Sequence, residues 1–274
     1  MGATEALKRG IGGAVKVVAA GADALRPDAP GLVILIYHRV GARTTSQIDL
    51  ATPRFEAQVA ELVEAGRVVS LDEGIRRLAA ADVADRPVVL TFDDGTADWV
   101  DEALPVLVRH QAPATFYVAT DFVERGVDFP GDGAPVSWSG LAELVASGLA
   151  TIGSHTHTHA LLDRADGTTA AAELDRSIDL LGDRLGIECA HFAYPKALVG
   201  SPAAEGEVRR RFRSATVAGS RANLPGTDLY RLTRTPIQVA DGMRWFRRKA
   251  AGGLRLEDTA RAILNRGRYA GAAT

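Results

Sequence analysis

The sequence has few of the residues that build crosslinked, membrane-spanning or disordered chains. Its 274 residues include one cysteine, Cys189, which excludes an internal disulfide framework and a cysteine-rich zinc site. No run reaches the roughly 18 uninterrupted apolar residues of a membrane span. Charged residues make up 24% of the chain, hydrophobic residues 46%, and the formal net charge is -2. These values are those of an ordinary globular chain that is long enough for one large core.

Basic residues are concentrated late in the chain, in RRRFR (209–213) and RWFRRK (244–249). Two interpretations are open: solvated helix faces, or a surface that meets an anionic substrate, polymer or lipid headgroup. The second would allow peripheral contact with an anionic membrane surface. No recognised nucleic-acid-binding motif accompanies these runs, so nucleic acid is not expected as a partner.

The N-terminal segment, residues 1–28, is predicted to form a surface helix. Its apolar residues fall at helical spacing. Lys8 and Arg9 precede an Ala-rich stretch, as in a secretory signal, but Lys16 and Asp23 interrupt that stretch. We therefore expect a cytoplasmic or peripheral membrane protein, with secretion as the alternative.

From about residue 31 to 219, short apolar strands alternate with amphipathic helices. Strands are predicted at 31–40, 68–71, 86–95, 113–120, 149–155, 189–195 and 213–219. Helices are predicted at 52–66, from Asp72 onward with Asp72 as the N-cap, and at 97–111, 137–148 and 168–186. This α/β alternation indicates one domain, residues 29–240, around a parallel sheet that is open or closed into a barrel. Residues 241–274 are predicted to form a C-terminal helical extension.

Polar side chains follow four of the predicted strands. They are His38, the pair Asp93 and Asp94, His155, and Tyr194. In parallel α/β folds the carboxyl ends of the strands meet at one rim, where active residues gather. The sequence therefore predicts one site built from these residues.

The motif TFDDG (91–95) ends a buried strand in two carboxylates. Adjacent side chains of an extended strand point to opposite sides, so both can serve one site only if the chain bends, which Gly95 permits. A helix N-cap is the structural alternative. The functional interpretation is that one carboxylate ligates a metal and the other acts as a base.

The motif HTHTH (155–159) places His155 and His159 four residues apart, a spacing that can bring two imidazoles together. If these two imidazoles and one carboxylate bound a metal ion, they would leave coordination positions on the ion open for water and substrate. Such a set suits a divalent transition metal. Zinc is the expected ion, and cobalt, nickel, iron or manganese also fit. His157 is interpreted as facing solvent or supporting the ligands.

Together these motifs resemble the polysaccharide deacetylase family, also called carbohydrate esterase family 4 or the NodB-homology domain. TFDDG matches its first motif, HTHTH its second, and FAYP (192–195) is similar to its third. The resemblance covers about residues 31–240. It implies a distorted, incomplete (β/α) barrel and metal-dependent removal of N-acetyl or O-acetyl groups from a sugar or polysaccharide.

The resemblance also implies roles for individual residues. Asp94, His155 and His159 would hold the metal. Asp93 would be the general base that deprotonates the attacking water. The backbone N–H of Tyr194 would stabilise the oxyanion.

The third motif departs from the family pattern. His191 stands near the usual position of an arginine that orients the base, and Lys196 and Ala197 replace a common glycine ending. Arg231 and Arg234 are candidate substitutes for that arginine and candidate substrate-binding residues.

The late histidine that the family uses as general acid is also missing, because the only histidine after His159 is His191. IYHRV (36–40) resembles the opening of a branch that deacetylates exopolysaccharides. His38 is therefore the candidate acid, with simple packing at a strand end as the alternative.

Two other functions stay open at the level of the sequence. The incomplete motifs and the basic C-terminal region would suit a catalytically degenerate glycan-binding or scaffold protein. The same metal site could also hydrolyse a non-sugar amide.

Overall fold

The computed structural model describes residues 30–131 and 133–253. The predicted N-terminal helix lies outside the described residues, as does the extension from residue 254 onward.

Seven parallel strands close into a barrel, which confirms the predicted fold class. In hydrogen-bonding order they are β1 (Val33–Tyr37), β4 (Val88–Asp94), β5 (Ala114–Val118), β6 (Ala150–Ser154), β7 (His191–Ala193), β8 (Ser214–Ala218) and β9 (Leu232–Pro236). The barrel closes where β9 pairs with β1, with Leu35 opposite Thr235. A separate parallel pair, β2 (Arg39–Val40) and β3 (Asp49–Leu50), follows β1. With one strand fewer than a regular eight-stranded (β/α) barrel, the barrel is incomplete in the predicted sense.

Helices connect and cover these strands. They are α1 (Thr52–Glu64), α2 (Leu71–Ala79), α3 (Leu104–His110), α4 (Thr120–Arg125), α5 (Trp138–Ala146), α6 (Gly167–Leu185), α7 (Pro202–Arg211) and α8 (Gly242–Ala250). A π-helical segment, Trp99–Ala103, precedes α3. Within the described ranges, no helix is both long and apolar enough to cross a membrane.

Alternate residues of the strands belong to two different hydrophobic clusters. On β4, Val88, Leu90 and Phe92 pack with buried helix residues, whereas Val89 belongs to a smaller cluster that includes Tyr117 of β5. This alternation is the period of two expected for a strand. Asp93 shares the face of Val89 and therefore points into the barrel.

Three details of the predicted secondary structure are wrong. Residues 68–71 form only an isolated bridge, Val68 with Val88. The following helix is capped by the Ser70 hydroxyl, which accepts a hydrogen bond from the Glu73 N–H, and not by Asp72. The closing strand β9 lies beyond residue 219, where the predicted alternation ends.

The helix α8 at the end of the described chain is packed against the barrel domain. Phe246 is fully buried. The Lys249 ammonium is also buried, where it pairs with Asp241 at 2.8 Å and donates to the Pro236 carbonyl at 2.8 Å. The division between a barrel domain and an extension after residue 240 stays a prediction.

Candidate active site

The end of β4 bends, and the bend turns both carboxylates of TFDDG toward one site. Asp94 has a φ of 88° and Gly95 a φ of 121°. A strand that stayed extended would send the Asp94 side chain to the opposite face from Asp93. The predicted turn at Gly95 is therefore present, and it begins one residue earlier, at a non-glycine residue held in a sparsely populated conformation.

Asp93 is held by a buried arginine that lies two strands away around the barrel. Arg234 on β9 donates from Nη1 to Oδ1 at 2.6 Å and from Nη2 to Oδ2 at 2.8 Å. Arg234 also donates to Thr91 Oγ1 at 3.1 Å, and its guanidinium lies 5.0 Å from the centre of the Tyr117 ring. β4 and β9 both pair with β1 and not with each other, so this bidentate pair joins two strands that share no backbone pairing.

The pKa of Asp93 lies below its ordinary value. Burial alone would raise it, but the charge of Arg234, together with His155 and His38, outweighs burial. Asp93 is therefore ionised at neutral pH, as a base must be.

Asp94, His155 and His159 form a compact cluster. One potential ligand atom from each lies within 4.8 Å of the others. Asp94 Oδ1 is 3.7 Å from His155 Nε2 and 3.4 Å from His159 Nε2. The pKa of Asp94 is also lowered, because the neighbouring imidazoles outweigh the effect of burial.

His155 is oriented by the strand next to its own. It follows β6, and its Nδ1 lies 2.7 Å from the Ala193 carbonyl of β7. A carbonyl can only accept, so Nδ1 carries the proton and Nε2 keeps a free lone pair on the side of the ring near Asp94. Burial lowers the pKa of His155 to about 4, which keeps the imidazole neutral at physiological pH. A neutral, oriented imidazole is the form that ligates a metal.

The loop from His155 to His159 has an unusual backbone. Thr156 has a φ of 64° and His159 a φ of 63°, which brings His159 back toward Asp94. His157, between the two ligand candidates, points away from them. Its Nδ1 lies 2.9 Å from Thr120 Oγ1 and its Nε2 lies 3.7 Å from Asp121, at the start of α4.

These residues fit a divalent transition metal. The cluster offers one carboxylate oxygen and two imidazole nitrogens from a partly buried position at the strand ends, and the tautomer of His155 is fixed by a carbonyl behind it. Two histidines and a carboxylate leave coordination positions for water and substrate.

His38 lies directly after β1, the neighbour of β4. Its backbone carbonyl accepts a hydrogen bond from Trp99 Nε1 at 2.8 Å, which fixes the backbone at this point. The imidazole is close enough to contribute to the lowered pKa of both Asp93 and Asp94. Its buried Nδ1 has no hydrogen-bond partner among the described residues. The structure thus brings His38 to the site, and its role as acid stays a prediction.

Tyr194 also reaches the rim, but its backbone is already engaged. The N–H predicted to bind the oxyanion donates to the Thr216 carbonyl at 3.1 Å, as part of the pairing between β7 and β8. An oxyanion would have to compete with this bond, so that role stays a prediction. Beyond it, Lys196 and Ala197 have φ values of 52° and 60°, in the region where glycine is favoured.

Two residues considered from the sequence lie outside this contact set. Arg231 is half-exposed and pairs with Glu205 of α7 at 2.6 Å. His191 begins β7, at the amino ends of the strands, where it is buried beside Ser214. The arginine beside the base is therefore Arg234, and neither Arg231 nor His191 takes that position.

Comparisons with known proteins agree with this geometry. The family model described as "Polysaccharide deacetylase" matches residues 80–208, from before β4 to α7, and includes TFDDG, HTHTH and FAYP. This match confirms the predicted resemblance to the polysaccharide deacetylase family over that segment. The match indicates that the protein is an enzyme, a hydrolase of the deacetylase type.

Solved structures of deacetylases share the fold. IcaB from Ammonifex degensii is 27% identical, with a TM-score of 0.66 over 80% of this chain and 98% of that one. The Streptococcus pyogenes deacetylase PplD, in complex with acetate, is 22% identical, with a TM-score of 0.71 over 81% and 99%. A de-N-acetylase from Aggregatibacter actinomycetemcomitans is 18% identical, with a TM-score of 0.67 over 80% and 99%. No curated protein matches the chain by sequence.

The polysaccharide deacetylase motifs do not account for every residue at the site. His38 and Arg234 lie outside the segment that the family model matches. Sequence reasoning also missed Glu173 and Ser177 of α6, which contact the histidine loop and its strand. An amphipathic helix gives no local signal for which of its polar residues meets a distant loop.

Proposed function

We propose that this polysaccharide deacetylase removes N-acetyl groups from a sugar polymer with the help of a divalent transition metal. The observation that carries the proposal is the cluster of Asp94, His155 and His159, placed beside a second carboxylate, Asp93, that is ionised and held by Arg234. A glycan-binding protein has no need of a buried base next to a ligand set.

Asp94, His155 and His159 would hold the metal. When bound there, the ion lowers the pKa of a water and polarises the acyl oxygen. Zinc is the expected ion, although this ligand set also suits cobalt, nickel, iron and manganese.

Asp93 is proposed as the general base. Its two oxygens are held by Arg234 at 2.6 and 2.8 Å, so the carboxylate cannot rotate freely. It takes a proton from the water whose oxygen attacks the acyl carbon. Arg234 has no exposed surface, so water does not compete for its hydrogen bonds to Asp93. The Asp93 carboxylate therefore keeps a fixed orientation toward the attacking water.

His38 is proposed as the general acid. The C–N bond breaks as the leaving nitrogen accepts a proton from His38, which gives acetate and a free amine. An amide nitrogen is a poor leaving group without that proton, whereas an activated aryl ester needs none. The match to the polysaccharide deacetylase model supports a polysaccharide substrate, and a neighbour named as a de-N-acetylase supports an amide bond.

We further propose that the protein works in the cytoplasm or at the face of an anionic membrane. The basic end of α8 supports this proposal, since Arg244, Arg247 and Arg248 are exposed. Binding to anionic vesicles that does not weaken with salt would contradict the electrostatic part.

The first experiment measures metal content and acetate release together. Purified wild-type protein is expected to contain near-stoichiometric transition metal and to release acetate from N-acetylated oligosaccharides. Asp94→Ala and His159→Ala should lose both. Asp93→Asn should keep the metal and lose turnover, which separates the base from the ligands.

Substrate choice tests the acid and the bond. His38→Gln should lose far more activity toward an N-acetylated sugar than toward an aryl acetate. Equal losses would refute His38 as the acid. Faster release from O-acetylated than from N-acetylated oligosaccharides would refute the amide assignment. Bound metal with no turnover on any acetylated sugar or simple amide would favour a glycan-binding protein.

A further inference from the structure

Two side chains of helix α6 contact the loop that carries the two histidines or the strand that leads into it. Glu173 and Ser177, one turn apart on α6, both reach toward it. Neither residue belongs to a family motif, and neither contacts the ligand atoms themselves.

Glu173 accepts three hydrogen bonds from the middle of the loop. Its Oε2 accepts from the backbone N–H groups of His157 at 3.0 Å and Thr158 at 2.8 Å. Its Oε1 accepts from the Thr158 hydroxyl at 2.9 Å. The loop has no strand partner here, so the carboxylate takes the place of a sheet neighbour for these two donors.

The backbone conformation explains why an anion suits this position. Thr156 lies in the left-handed region, with a φ of 64°, and consecutive N–H groups in such a turn converge on one point. An anionic acceptor at that point satisfies both donors at once. The start of α4 also contacts this loop, at the carbonyls of Thr156 and His157 and at the His157 ring, but none of those contacts satisfies the two N–H groups that Glu173 accepts from.

Ser177 supports the beginning of the same loop. Its hydroxyl lies 2.8 Å from Ser154 Oγ, which accepts from the Thr156 N–H at 3.2 Å. Ser177 lies on the buried face of α6 with Ala170, Leu174 and Leu181, so core packing fixes where this helix sits. The position of the loop is thereby set by the hydrophobic core.

We infer that Glu173 is a positioning residue for the metal site: it holds the 155–159 loop in the conformation that brings His159 to Asp94 before any metal binds. The expected effect of Glu173 on metal affinity rests on the proposed function. Its structural part concerns the metal-free protein and can be measured separately.

The test uses three variants of the full chain. Glu173→Ala removes all three acceptor contacts. Glu173→Gln keeps one carbonyl-type oxygen that can still accept from the loop. Asp179→Ala, the control, removes an exposed carboxylate elsewhere on α6. The measurements are the zinc dissociation constant by chelator competition, hydrogen exchange of the loop amides without metal, and the Tm of the metal-free protein.

Glu173→Ala is expected to weaken zinc binding by about 10- to 100-fold, as the loss of a group that orients ligands does elsewhere. The amides of His157 and Thr158 should exchange faster, Glu173→Gln should fall between Ala and wild type, and Asp179→Ala should match wild type. A merely structural role would lower the Tm and leave the zinc affinity of the folded protein unchanged.

Two results would overturn the inference: unchanged zinc affinity in Glu173→Ala, or unchanged exchange of the two amides. Wild-type protein that takes up neither zinc nor cobalt, nickel, iron or manganese would instead refute the proposed function. In that case the exchange measurement still decides whether Glu173 holds the loop.

Discussion

The buried pair of Asp93 and Arg234 allows a quantitative test of how the site is built. Both side chains are almost fully buried, at 7% and 0% exposure, and two hydrogen bonds join them. Removing one partner of such a pair leaves an uncompensated buried charge and costs about 3–5 kcal/mol. Asp93→Leu and Arg234→Met should therefore each lower the free energy of unfolding by about that amount.

The double variant should be more stable than either single variant. It removes both charges, and replacing a buried ion pair with apolar side chains of similar volume is often close to neutral. The assay is urea unfolding with chelator present, so that metal binding does not add to the stability of any variant. The same cycle on the exposed pair of Arg247 and Glu61 is the control and should show far weaker coupling.

Additivity would refute this reasoning. If the double variant lost the sum of the single losses to within about 0.5 kcal/mol, the two charges would not depend on each other. A changed m-value in one variant would point instead to an altered unfolded state.

Three further predictions follow from other parts of the molecule. Burial lowers the pKa of His191, so the unfolded chain takes up a proton that the folded protein resists. The free energy of unfolding should therefore fall as the pH drops below 6.5, the ordinary value, and His191→Gln should flatten this slope; equal slopes would contradict the prediction. Gly153→Ala should destabilise the fold by about 1–3 kcal/mol, since the new Cβ would lie 2.7 Å from the His191 carbonyl oxygen. Its control, Gly182→Ala on α6, meets only one atom, at 3.7 Å, and should be neutral or stabilising in the same urea assay. Removing the metal should lower the Tm of wild type but not of Asp94→Ala, and an equal drop in both would place the bound metal elsewhere.

The sequence by itself determined the fold class and the candidate ligands, because both depend on short-range patterns. Apolar runs in the sequence predict β1, β4 and β5, which are five to seven residues long. TFDDG and HTHTH place their side chains within a few residues of a strand end. Neighbouring parallel strands then bring those ends to the same rim.

Only the tertiary structure decided which distant residues support the site. Arg234 lies 141 residues after Asp93 in the sequence, on the barrel-closing strand that no pattern predicted. Glu173 lies on a helix whose sequence shows only that one face is buried, and nothing local says which loop its carboxylate meets.

Local patterns also do not show which of several neighbouring groups makes a given hydrogen bond. Ser70, not Asp72, caps α2, and the Tyr194 N–H is taken by Thr216 of a neighbouring strand. Spacing along the chain sets which side chains a strand end or a turn presents. Packing decides which of these side chains contact each other, because barrel closure and helix docking bring together residues that are far apart in sequence.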